Sequence, residues 1–355
     1  MEKENLYTNL LLNLQLYKFK TDLLDMKSLL GIGNALVDMV YSCEALAALK
    51  EVGIELGVPN HVSPQVFDAA YKTVAGLPCT MVPGGGAANT VAAASVLGMK
   101  CAFMGKVGED ANGTLFSQEL SKYNVEPLLF RSTLPTGCTM AFPSSQKGIV
   151  GTFIVSIGAA GTFSGNEVSR ELLKGYDYLH MEGFLLNCGD IAETVLDMAR
   201  EQGMIISFDL GSKGLIARYR SRVERIVGQY ADIVFANEYE ALEFTGLQPQ
   251  EAAMDIACRL ADRGGIAVVK CGSDGSVIAQ DVCSWHIGAV EVEVADAIGA
   301  GDAYAAGFLH AHSLGLGLQD CGKKAAAIAA AAVSVKGPKI DKNQLLKISA
   351  RNFPV

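Results

Sequence analysis

From Tyr176 onward the chain alternates short β-branched runs with helix-length segments, and few folds accommodate that order. The pattern predicts strands over Tyr178–Met181, Ile205–Asp209, Ile233–Ala236 and Ala267–Lys270. Between them it predicts helices over Asp190–Glu201, Leu215–Gly228, Tyr239–Thr245 and Ala252–Arg263. Parallel strands need crossovers of this kind, so the expected fold class is α/β: three layers, with a mostly parallel central sheet between helices.

The amino-terminal half is less regular. Leu29 to Val40 reads as strand, small-residue break, strand, and Val91 to Leu97 as a helix opened by Pro83-Gly84-Gly85-Gly86. A short strand over Cys101–Met104 and a helix over Glu109–Tyr123 follow. Residues 125–160 behave as antiparallel hairpin material, because short alternating runs (Thr139–Phe142, Gly151–Ile157) are split by Pro135, Pro143 and Gly148. One large domain over residues 27–355 is therefore expected, with a small β lid from about 36–60 and 125–160. Residues 1–26 carry mixed charge and no cleavage-site pattern. They read as an N-terminal extension, either disordered or left by an upstream start.

Bulk properties narrow the function. The net charge of −9 and the lack of a basic stripe argue against nucleic acid as a partner. Nine cysteines are scattered singly without a CxxC pair, as expected of reduced thiols in a cytoplasmic protein. The longest apolar run, Ala325 to Val335, is too short to span a bilayer, so no membrane is expected.

Chemistry concentrates at Asp296-Ala297-Ile298-Gly299-Ala300-Gly301-Asp302. The run Val290 to Val294 reads as a strand leading in, and an Ala-rich helix leads out. Small residues at a strand-to-helix turn let main-chain amides converge on an anion at the positive end of the helix. An aspartate there would repel phosphate, but it suits a base that takes a hydroxyl proton while the backbone holds a phosphoryl group. That pairing points to a kinase acting on an alcohol, with Asp302 as base and Gly299, Ala300 and Gly301 as anion hole.

Four other sites accompany it. Gly84-Gly85-Gly86 with Asn89 offers bare backbone and a bifunctional amide to a polyol; the plain alternative is a glycine-rich turn. Asp38 is a carboxylate in an apolar stretch, suited to a vicinal diol or to a capped turn. Asn237 and Glu240, at the end of a strand, suit Mg²⁺ held through water, or an ordinary helix cap. Lys270 to Gly275 reads as a tight turn, with a nucleotide-phosphate loop as the alternative. His310 and His312, two apart on a helix, point to different faces and are read as structural.

Taken together, these elements resemble the ribokinase/PfkB superfamily of carbohydrate and nucleoside kinases. The carboxy-proximal signature D-T-x-G-A-G-D is matched by Asp296 to Asp302. The amino-proximal one is matched by Gly84, Gly85 and Asn89, then by Gly98 and Gly105 to Gly113; the N-x-x-E element is matched by Asn237 and Glu240. The resemblance covers about Lys27 to Pro338. It implies ATP and Mg²⁺, with a monovalent cation (K⁺) near Asp296. It implies Asp38, Gly85, Gly86, Asn89 and Asp302 at the acceptor, and Asn237, Lys270, Gly272, Gly275, Ala300 and Gly301 at the nucleotide.

Two departures stand out: Ala297 replaces the usual Thr, and Gly86 replaces the lysine of ribokinase-like members. Thr136 to Thr139, Glu182-Gly183-Phe184 and Phe208-Asp209-Leu210 look closer to the adenosine-kinase-like branch. Lys147 is the candidate for that branch's basic lid residue, with Gly151 near where an arginine is expected. The expected activity is ATP-dependent phosphorylation of a primary hydroxyl on a sugar or nucleoside, with adenosine as one specific alternative, by a monomer or homodimer. The rivals are a catalytically silent sugar or nucleotide sensor and an NAD(P)-dependent oxidoreductase. The latter is suggested by Gly31-Ile32-Gly33, but Leu36 stands at the third glycine position.

Overall fold

The computed structural model describes residues 27–42, 45, 46, 49, 53–57, 59–143, 151–295 and 297–334. Two sheets organise them. The larger has nine strands in the order β14-β13-β12-β11-β10-β9-β1-β5-β6. Here β1 is Ser28–Ile32, β5 Lys100–Gly108, β6 Val125–Ser132, β9 Tyr178–Glu182, β10 Ile205–Asp209, β11 Ile233–Asn237 and β12 Ile266–Lys270. These seven run parallel, and β13 (Ser276–Gln280) and β14 (Cys283–Ile287) close one side as an antiparallel hairpin.

Helices cover both faces, as continuous apolar runs in parallel strands require. On one face Ile191–Glu201, Arg220–Gln229, Glu238–Thr245 and Pro249–Arg259 pack over Leu30, Ile206, Val234 and Val269. On the other, Gly86–Val96, Ala111–Lys122, Ala300–Ser313 and Leu318–Val333 pack over Leu29, Phe103, Phe235 and Val268. The Gly86 helix is buried on nearly every side, because it is wedged between the sheet and the Ala300 helix; Ala and Val at most positions keep it thin enough.

The smaller sheet has the order β3-β8-β7-β2-β4. Its strands are β2 (Leu36–Tyr41), β3 (Pro59–His61), β4 (Cys79–Gly84), β7 (Thr136–Pro143) and β8 (Gly151–Gly158). It has its own core, in which Met39, Tyr41, Met140, Phe142 and Ile154 pack under Phe67, Ala70 and Val74 of the helix Pro64–Val74. Period-two alternation puts the neighbours Asp38 and Thr139, register partners on β2 and β7, on the opposite face.

Three sequence expectations need correction. Val125–Ser132 is not lid material: it pairs parallel to β5 as the outermost strand of the large sheet, where Pro127 is tolerated. Its place in the small sheet is taken by Cys79–Gly84. Val290–Val294 forms no strand. There the chain leaves β14 to reach the Ala300 helix, finds no partner to pair with, and leaves its valines exposed. The single helix expected over Leu215–Gly228 is two, Lys213–Arg218 and Arg220–Gln229, broken at Tyr219, whose hydroxyl donates to Asn187.

Candidate active site

Parallel strands deliver their carboxyl ends to one edge, and the chemistry-bearing residues collect there: Asn34 just after β1, Glu182 ending β9, Asp209 ending β10, Asn237 ending β11 and Lys270 ending β12. Strand order runs outward from β1 in both directions, so a crevice opens beyond β1 and β9, the usual ligand position in open α/β sheets.

Glu182 stands at that switch point. Its Oε1 accepts the main-chain N–H of Asn34 at 2.7 Å and its Oε2 that of Ala87 at 2.9 Å. One buried carboxylate thus ties the β1–β2 link to the first turn of the Gly86 helix. Burial pushes its pKa up to about 7, against the two amide bonds that favour the charged form; Asp302 and Asp209 add to the rise.

Asp302 occupies the first turn of the helix Ala300–Ser313, whose cap Gly299 adopts φ +78°, a left-handed conformation that suits glycine. Its Oδ2 accepts from Asn89 Nδ2 at 2.9 Å. Burial raises its pKa to about 7, with Asn89 and Lys270 pulling down and Asp209 and Asp38 pushing up. Asp38 shares the crevice. Burial lifts it to about 7 as well, opposed by a hydrogen bond from Thr139, and Gly84 leaves the space that its carboxyl fills. Gly85, at φ +96°, turns the chain into the Gly86 helix, and a side chain begun at Gly86 would lie 3.2 Å from Asp302 Oδ1.

On the β12 side, Lys270 Nζ donates to Asp209 Oδ2 at 2.9 Å, with both side chains mostly buried. Burial works against the ammonium, but Asp209 and Glu240 outweigh it and its pKa stands above the usual lysine value. Lys270 is also the register partner of Asn237.

A family model described as pfkB family carbohydrate kinase matches residues 36–344. The chain belongs to the PfkB family of carbohydrate kinases. It is 31% identical over 260 residues to a nucleoside kinase of Methanothermobacter thermautotrophicus, covering 72% of this chain and 79% of that one. The solved structure of an adenosine kinase from Sinorhizobium meliloti superposes with a TM-score of 0.83 at 26% identity, over 92% of this chain and 99% of that one. A probable sugar kinase from Rhizobium etli gives 0.83 at 27%, over 92% and 98%. This chain is therefore a sugar or nucleoside kinase, and the sensor and oxidoreductase readings fall away. The Gly31 that suggested a dinucleotide fingerprint lies inside β1, where a side chain would start 2.5 Å from Val91 of the Gly86 helix. It is glycine for packing.

Of the residues singled out in this PfkB kinase, Asp38, Asn89, Asp302, Gly85 and Gly86 meet at the crevice, though Asn89 uses its amide on Asp302. Gly299, Ala300 and Gly301 form the start of the Ala300 helix; the Ala300 N–H makes a long 3.3 Å bond to the Ala297 carbonyl. Asn237 and Glu240 form a closed capping box. Glu240 Oε2 accepts the Asn237 N–H, Oε1 accepts Asn237 Nδ2, and Asn237 Oδ1 accepts the amides of Tyr239 and Glu240. Each of these oxygens accepts at least one hydrogen bond inside the box. Among the described residues no cluster of His, Cys, Asp and Glu is arranged to hold a metal.

Gly272 and Gly275 sit in the turn between β12 and β13, and Gly275 is demanded there by the close approach of the Ile287 carbonyl. Asp296 and Lys147 lie outside the described residues. His312 bonds the Tyr178 hydroxyl at 2.8 Å, and His310 is buried. One residue that sequence reasoning left without a role is Glu182, and Asp209 is another. The signal available for Glu182 was an acid ending a strand whose other residues are apolar or aromatic.

Proposed function

We propose that this kinase transfers the γ-phosphoryl group of ATP to a primary hydroxyl of a sugar or nucleoside, with Asp302 as general base. The carrying observation is the Asp302 carboxylate at the start of the Ala300 helix, oriented by Asn89 at 2.9 Å and held by burial near pKa 7. A base with that value takes a proton near neutral pH without being permanently neutralised.

In this reading the acceptor lies between Asp38 on the small sheet and Asn89 and the Gly85–Gly86 backbone on the large one. The triphosphate lies toward Lys270, Asn237 and the turn Gly272–Gly275. The acceptor oxygen attacks the γ-phosphorus in line, its proton passes to Asp302, and the bond to the bridging oxygen breaks with its electron pair leaving on ADP. The amides that open the Ala300 helix lack intrahelical acceptors and face the charge that develops on the transferring group. Mg²⁺ arrives on the triphosphate of ATP, since the described side chains form no cage for it. The small sheet, anchored through β2, closes over the acceptor and excludes water.

Similarity to a nucleoside kinase and to an adenosine kinase supports including nucleosides, adenosine among them, beside sugars as acceptors to test. The test is ATP consumption with product detection across nucleosides, pentoses, ketohexoses and sugar acids, with and without K⁺. A phosphomonoester on one acceptor class is the expected result. ATP turnover that no acceptor stimulates would sink the assignment.

A further inference from the structure

The pair Lys270–Asp209 has no place in the scheme above beyond lying near the nucleotide. Its geometry is specific. Asp209 is held at both oxygens: Oδ1 accepts the Gly211 amide at 3.0 Å and Oδ2 accepts Lys270 Nζ at 2.9 Å. The ammonium hangs over the Phe235 ring, 5.9 Å from its centroid, and reaches the Ala300 helix from beneath. A side chain begun at Gly301 would stand 3.2 Å from Nζ, so the glycine leaves the cation against bare backbone at the point where the helix opens. Asp209 is the one hydrogen-bond acceptor of this ammonium among the described residues, although Nζ carries three N–H groups.

We infer that Lys270 is the side-chain cation that meets the transferring phosphoryl group at the mouth of the Ala300 helix, and that Asp209 is the positioning residue that holds it there as counter-ion. The inference rests on the kinase reading. A buried lysine with unused donors beside a row of main-chain amides adds a full charge where those amides supply only partial ones. It faces Asp209, Glu240 and Asp302, whose carboxylates keep it charged until an anion arrives. Asp209 does not touch the phosphoryl group. It keeps the lysine aimed and returns it after ADP leaves.

The two roles break the symmetry of an ordinary ion pair, and the test reads that asymmetry. Three variants are compared with the wild type at saturating ATP and acceptor: Lys270→Met, Asp209→Asn and the double variant. Lys270→Met is expected to lose about 10²–10³-fold in kcat, the usual effect of removing one transition-state donor. Its affinity for a non-hydrolysable ATP analogue should change less than about tenfold, because the interaction is gained in the transition state. Asp209→Asn keeps the charge, and its loss in kcat should stay within about tenfold, with a lower KM for ATP as the freed lysine binds the ground state. The double variant removes both members of the pair, so neither is left buried without the other. It should be as slow as Lys270→Met. Equal losses in the two single variants, or a double variant restored to within about tenfold of wild type, would show a merely structural pair and overturn the inference. A wild type that transfers phosphate to nothing overturns the kinase reading instead.

Discussion

Two helices begin at the same edge of the large sheet with a carboxylate at the same helical position. In Glu238–Thr245 the third residue is Glu240, and in Ala300–Ser313 it is Asp302. Burial lifts both to about 7. They differ in what precedes them. Asn237 caps the first helix and Glu240 reaches back to it, so both of its oxygens are consumed within three residues of chain. Gly299 caps the second and offers no side chain, and Asp302 closes no box with it. Its oxygen turns instead to Asn89 on another helix, 213 residues away. A closed local box holds a helix end together, whereas an acid freed from that duty is available for chemistry.

The comparison breaks if the two acids prove equivalent in turnover. Asp302→Asn should lose about 10²–10⁴-fold in kcat with ATP binding retained, the usual effect of removing a positioned base. In the wild type, kcat/KM should fall as pH drops below about 7, because Asp302 must be deprotonated to accept the hydroxyl proton; that limb should disappear in the variant. Steady-state rates from pH 5 to 9 for both proteins decide it. A variant within tenfold of wild type would end the role assigned to Asp302.

Glu182 sharpens the comparison, because it is also bound non-locally but with both oxygens occupied. Glu182→Gln leaves one main-chain N–H facing an amide NH₂, at a cost of about 1–3 kcal/mol. The two elements it joins frame the acceptor, so the cost should surface as a rise of roughly five- to a hundred-fold in acceptor KM, with kcat changed less. A pure loss in kcat would mean that Glu182 belongs to the chemistry itself.

What the sequence disclosed follows the same division. The four strands expected after Tyr176, the helix cap offered as one reading of Asn237–Glu240 and the strand break after Ile32 are local in origin, and each stands where its residues place it. Glu182 bonds partners 148 and 95 residues away, and Lys270 one 61 away, so no window of sequence contains both halves of either contact. Val290–Val294 and Val125–Ser132 failed for a related reason. Their composition was legible, but strand partners are chosen by where the chain must go next.

Glu240→Gln tests the other half. One bond of the box is lost and the second remains available to the Gln oxygen, so the helix start should weaken by about 1 kcal/mol. That corresponds to a fall in Tm of roughly 1–2 °C for a chain of this size, with kcat within tenfold of wild type. Thermal unfolding paired with one rate measurement suffices. A hundred-fold loss in turnover would place Glu240 with Asp302 rather than opposite it.

A last effect concerns stability in the absence of ligand. Asp302 is held above its unfolded value of 3.8, at about 7, chiefly because burial disfavours the charge. Above pH 7 the folded protein carries that charge at full cost. As pH falls from 7, the folded form takes up a proton that the unfolded chain does not yet bind, and the cost shrinks until it vanishes near pH 4. Asparagine at 302 has no charge to desolvate and keeps an oxygen for Asn89. Asp302→Asn should therefore melt higher than wild type at pH 8, on the order of a few degrees, and the two curves should converge toward pH 4. An advantage that persists unchanged at low pH would mean that packing, not a suppressed charge, separates the two proteins. The base would then owe its position to Asn89 alone.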